Sequence, residues 1–136
     1  MTILVPPVQL TVPADASCYE SRVELEAGHS YRFNVAGEWV DFHDEPVNAN
    51  GNVHPGGIRE LMGWAKRLSD APWMALLVRS KGKNGASDWR WVGDGESVLT
   101  DLPAGKLQLC ANDVVGFYWN NSKELKVTVT DVTKDD

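Results

Sequence analysis

The chain has 136 residues, 43% of them hydrophobic, with a formal net charge of −6, a size that suits one compact domain over residues 1–136 with a single buried core. An acidic balance without clustered Lys and Arg excludes sequence-independent attraction to nucleic acid phosphates, and no apolar run is long enough for membrane insertion as a spanning helix. Met1 to Pro7 lacks the basic start and long apolar stretch of a secretory signal, so the expectation is a protein made in the cytoplasm.

In chain order, Val8 to Val12 alternates apolar and polar residues with period two, the pattern of a half-buried strand. Val23 to Leu25 and Tyr31 to Val35 do the same across the turn-like Glu26-Ala27-Gly28-His29-Ser30, which predicts an early hairpin. Further strands are predicted from Trp73 to Arg79, Trp89 to Val92, Ser97 to Thr100, Lys106 to Ala111 and Leu125 to Val132, with Pro103-Ala104-Gly105 turning between two of them. About eight short strands with glycine-marked turns indicate an all-β protein, a small jelly-roll-like β-sandwich or barrel. One segment departs from this: Ile58, Leu61, Met62, Ala65 and Leu68 recur at helical spacing, predicting a short amphipathic helix over 58–70 that Pro72 would stop. Cys18 and Cys110 lie far apart without metal-ligand spacing, and the reading favours two buried or semi-buried thiols over a disulfide.

Chemistry-bearing residues collect in two places. His43 to Gly57 is a long polar, glycine-containing stretch holding Asp44, Glu45, His54 and Pro55, of the length at which loops within a small sandwich carry function. Asp44 and Glu45 are adjacent, and neighbours on an extended chain point apart. Glycoside hydrolysis instead needs two carboxyl groups across one bond, about 5–10 Å from each other. No nucleophile elbow or phosphate-binding glycine loop is present, so no enzymatic activity is expected. His29 reads as a solvated turn residue. Of the six tryptophans, Trp39, Trp73, Trp89 and Trp91 fall on predicted strands and read as core, whereas Trp119 is equally suited to packing and to stacking on a ligand.

The second place is Asn112-Asp113-Val114-Val115-Gly116-Phe117-Tyr118-Trp119-Asn120-Asn121-Ser122. It offers one carboxylate, two consecutive carboxamides and a glycine turn that can aim main-chain carbonyls inward. Hard oxygen donors of this kind suit Ca2+, which takes about 6–8 oxygen ligands in irregular geometry. One carboxylate leaves the ion under-neutralised, so oxygens of water or of a polyhydroxylated ligand would complete the shell. Asn120-Asn121-Ser122 also matches a glycosylation acceptor, read as accidental without a secretory signal.

The spacing Asn-Asp-x-x-Gly-x-x-x-Asn-Asn-Ser resembles that of the PA-I type bacterial galactophilic lectins, small calcium-dependent β-sandwich proteins. Upstream, Val35 to Phe42 resembles the family's glycine-tryptophan strand, His54-Pro55 its sugar-loop His-Pro, and Ala75 to Val78 a core strand. The resemblance covers residues 20–132 in order and is most specific over 112–129. It implies calcium ligation by Asp113, Asn120 and Asn121 side chains and the main-chain carbonyls of Phe42 and Phe117. It further implies that two galactose hydroxyls enter the metal shell, that Asp113 and Asn120 hydrogen-bond them, and that His54, with Pro55 in the sugar-binding loop, reaches the O6 region; the Trp119 ring would narrow the pocket or add a stacking face. Gly57 stands where the family has a glutamine, Trp119 where a small residue is expected, and the 58–70 segment is longer than its counterpart. These departures bear on sugar choice more than on calcium.

The resulting expectation is a non-enzymatic, calcium-dependent lectin for galactose or a related sugar, assembled as a homo-oligomer, tetramer or dimer. Two alternatives stay open: a carbohydrate-binding module with structural calcium and Trp119 stacking, or a sandwich that binds protein and no sugar. A weakly charged site binds calcium at roughly 10⁻⁴–10⁻³ M, above cytosolic levels, so function after release from the cell is the corresponding expectation.

Overall fold

A computed structural model of the protein describes residues 7–13, 18–41, 47–51, 74–112 and 121–133, with residues 40, 41, 121 and 122 described in the backbone alone. The strands are β1 (Val8–Pro13), β2 (Tyr19–Leu25), β3 (Tyr31–Asp41), β4 (Leu76–Gly82), β5 (Gly85–Ala86), β6 (Arg90–Val92), β7 (Gly95–Leu99), β8 (Gly105–Ala111) and β9 (Asn121–Asp131). Each of the eight strand-like runs expected from the sequence overlaps one of them. The expected 58–70 helix lies outside the described residues, among which no helix occurs.

All pairing is antiparallel, in two sheets. The first runs β1-β9-β3-β7; the second runs β2-β8-β4, with β5 and β6 both paired to β4. Period-two burial explains how they stack. Phe33, Val35, Trp39, Leu125 and Val127 of the first sheet and Leu76, Val78, Leu107 and Leu109 of the second all enter one core, each at most 4% exposed. Burying each large apolar side chain contributes roughly 1.5–3 kcal/mol relative to leaving it in water.

The predicted hairpin over residues 23–35 is corrected. β2 pairs with β8, and β3 pairs with β9 and β7, so the connection between β2 and β3 is an arch from one sheet to the other. Its turn is closed by His29 N donating to Glu26 O at 3.1 Å, with Gly28 at φ 83°. Alternation identifies the face a strand buries, and two consecutive amphipathic strands satisfy it equally well side by side or face to face.

The cysteine expectation is also corrected. Cys18 and Cys110 form a disulfide, with Cα atoms 4.7 Å apart. Pairing of Tyr19 with Leu109 and Glu20 with Gln108 places Cys18 opposite Cys110 in the continuing register, a long-range relation that sequence spacing does not carry.

Candidate functional site

Three chain segments leave the sandwich at the same end, and they hold nearly every residue expected to bind metal or sugar. β3 and β9 pair along their whole length, up to Val40 with Ser122 and Asp41 with Asn121. Phe42 therefore follows a residue paired with Asn121, although the two are far apart in sequence. The chain then returns to β3 at Val47, where the amides and carbonyls of Trp39 and Val47 exchange two hydrogen bonds of 2.9 Å. Asp41 and Val47, the described residues on either side of 42–46, thus both lie at this end.

Residues 47–51 carry the chain from the first sheet to the second. Leu76 N donates to Ala49 O at 3.0 Å, and Asp94 N donates to the side-chain Oδ1 of Asn50 at 3.0 Å. Beyond β4's first residue, Met74 N donates to Asn112 O at 3.0 Å and Asn112 N to Ala75 O at 2.9 Å. Asn112 is fully buried. It is the root from which residues 113–120 depart before re-entering the first sheet at Asn121. The two sheets are clamped here by Trp39, fully buried in β3, whose indole Nε1 donates to Met74 O at 2.7 Å. Met74 adopts φ 61°, a left-handed conformation costly for a side-chain-bearing residue.

The backbone of Asn121 is placed at the start of β9. Phe42, His54, Pro55, Asp113, Phe117, Trp119 and Asn120 lie outside the described residues, as do Gly57 and Trp73. The flanking residues bring together the ends of the segments that contain them. Sequence reasoning missed the Trp39 to Met74 bond and the anchoring of Asn112. The only signals for them were a tryptophan on a strand leading to the polar loop and an asparagine preceding Asp113.

The opposite end of the β3 and β9 ladder holds a different cluster. His29 Nδ1 lies 2.8 Å from Asp131 Oδ2, and Nε2 lies 3.3 Å from Glu26 Oε2. Carboxylate oxygens at both ring nitrogens suit a doubly donating imidazolium. The hydrogen bond to Asp131 raises the His29 pKa above its ordinary value, against the effect of burial and with help from the charges of Asp131 and Glu26. For Asp131, burial acts upward but is outweighed by hydrogen bonds from Thr133 and His29, which hold it below the usual carboxylate range. The expectation of a merely solvated His29 is therefore corrected.

The tryptophans divide. Trp39 is core as expected, Trp89 is half-buried against Ala75 and Leu77 with the Arg79 guanidinium 4.1 Å from its ring centre, and Trp91 is 47% exposed. The core assignment fails for Trp91 because β6 projects it from the outer face of the second sheet, level with Leu77.

No protein-family model and no curated protein matches the chain. Among solved structures it is similar to the N-terminal domain of EclA, a PllA-like lectin, at 19% identity with a TM-score of 0.64, covering 90% of this chain and 94% of that one. At this identity the likeness is one of architecture, and the two-sheet sandwich described above is the fold of that lectin domain.

Proposed function

We propose that the protein is a non-enzymatic, calcium-dependent lectin whose sugar, galactose or a relative, reaches the metal with its own hydroxyls. The observation that carries this reading is the pairing of Asp41 with Asn121. It sets the segment beginning at Phe42 beside the one ending at Asn120 and Asn121, at the end where residues 52–73 also depart. The lectin fold of the structural neighbour supports the same direction.

The donor set fits Ca2+. Asp113 would supply charge, Asn120 and Asn121 neutral oxygens, and Phe42 and Phe117 main-chain carbonyls, leaving positions for sugar oxygens. Calcium would supply a rigid centre for a vicinal hydroxyl pair, and the chain's part is to orient that pair. His54, Pro55 and Trp119 would line the sugar. A shallow single-sugar site gains few contacts, so useful strength would come from several sites in one homo-oligomer. The disulfide favours an oxidising compartment, where calcium is plentiful, over the cytosol as the place of action.

Retention on galactose-agarose in millimolar calcium tests the proposal. Release by chelator, and loss of retention on Asp113→Ala with the fold intact by circular dichroism, are the expected results. Retention unchanged in chelator would overturn it.

A further inference from the structure

The outer face of the second sheet carries a built polar array that includes none of the proposed calcium ligands. Strand register arranges it in rows across β2, β8 and β4. In one row Glu20 faces Gln108, which faces Arg79. Gln108 Nε2 donates to Glu20 Oε1 at 2.6 Å, Arg79 Nε donates to Gln108 Oε1 at 2.7 Å, and the Arg79 guanidinium covers Trp89. Gln108 is only 4% exposed, so this row is held in one arrangement. In the next row Glu24 faces Lys106, which faces Lys81.

Beside that second row lies an open groove of about 820 Å³, reaching the β4 to β5 turn at Lys83 and Asn84. A Cβ on Gly105, at φ 150°, would lie 2.7 Å from the Lys81 carbonyl, and one on Gly82 would lie 2.9 Å from the Ala104 carbonyl. Glycine at both positions lets the two turns approach. The volume falls within the roughly 300–1,000 Å³ of small-ligand clefts.

We infer that this groove is a second saccharide site, selective for an acidic glycan such as a uronate chain and independent of calcium. Three lysines, Lys81, Lys83 and Lys106, meet two carboxylates, Glu20 and Glu24, so the groove is locally positive on a chain of net charge −6. Lys81 lies 3.4 Å from Glu20 and Lys106 lies 3.2 Å from Glu24, both exposed pairs. Exposed pairs of this kind are weak and screened by solvent, so exchanging one for a ligand carboxylate costs little. Lys83 has no ion-pair partner among the described residues. Glu20 Oε1 is held by Gln108 and Lys81, which leaves its Oε2, on the groove wall, to accept from a sugar hydroxyl. Trp91 stands on the same face, about 13 Å along from Lys81 at strand spacing, and offers its exposed ring to a more distant sugar.

The site goes beyond the calcium-dependent reading and shares no residue with it. Its test is titration of the disulfide-intact protein with trigalacturonate in excess chelator, followed by amide NMR, conditions under which the calcium site is silent. The expected result is shifts at Lys81, Lys83 and Lys106, binding that weakens as salt rises from about 50 to about 200 mM, and an affinity about tenfold lower in Lys83→Glu with galactose-agarose retention unchanged. The inference is overturned if those amides do not move or if Lys83→Glu binds as wild type does. Equal binding of a neutral galactose trisaccharide, or of a short single-stranded DNA, would overturn the acidic-glycan assignment as well.

Discussion

His29 is gripped by a carboxylate at each ring nitrogen, one three residues before it and the other at the end of the last strand. The first partner is readable from local spacing; Asp131 is not, because it comes near only when β3 and β9 pair. Since the folded pKa of His29 is raised, its contribution to stability is complete below about pH 6.5 and is lost as pH rises through the folded value. Asp131 has the opposite sign, contributing above about pH 4 and losing that contribution as pH falls through its lowered value. His29→Gln should therefore lower the melting temperature most between these limits, near pH 5.5, and least at about pH 9. A pH-independent difference in thermal melts would refute the clasp. Trp39 permits a second test at this scale. Trp39→Phe leaves the Met74 carbonyl without its indole donor, which should cost about 1–3 kcal/mol in urea unfolding, with lost volume adding to it.

Among the elements, most strands were legible because apolar residues alternate or run together where they bury; β5, two exposed residues, left no such signal. The strands' partners were less so. The run from Val23 to Val35 has the signature of a hairpin, yet forms an arch, since nothing in a period-two pattern says whether the next strand lies beside or across. Trp91 was misassigned for a related reason: a tryptophan on a strand is core on one face and surface on the other. The disulfide was hidden by a sequence separation of 92. For a closed loop of that length, reduction should destabilise the domain by about 2–5 kcal/mol. Denaturant midpoints with and without reductant measure it, and coincident midpoints would show the bond to be dispensable. Glu20, at the bridged edge, has its pKa lowered by the hydrogen bond from Gln108 and by Lys81, which keeps it ionised within the polar row.

At the scale of the molecule, the candidate site was legible in chemistry but not in assembly. Asp113, Asn120 and Asn121 can be recognised as hard donors from residues 112–122 alone. The proposal that they join Phe42 and His54 rested on resemblance, because no local pattern says that β3 lies against β9 or that residues 47–51 cross between sheets. Ligand linkage offers a check on the whole. Calcium at about a hundredfold excess over its dissociation constant should stabilise the fold by about 2.7 kcal/mol, with galactose adding more only when calcium is present. Galactose that raises the melting temperature equally in chelator would separate sugar binding from the metal.

The ladder that joins β3 to β9 runs through eleven paired residues, from Tyr31 with Asp131 to Asp41 with Asn121, a length of about 34 Å at strand spacing. It acts as a stiff post with the histidine clasp at its foot and, at its head, the ends from which residues 42–46 and 113–120 depart. Whatever is fastened after β9 is attached at the foot. Immobilising the protein through that end, on a bead or a sensor surface, should therefore hold every copy with the head of the ladder facing outward, and the density of the coating would then set avidity without obstructing the candidate site.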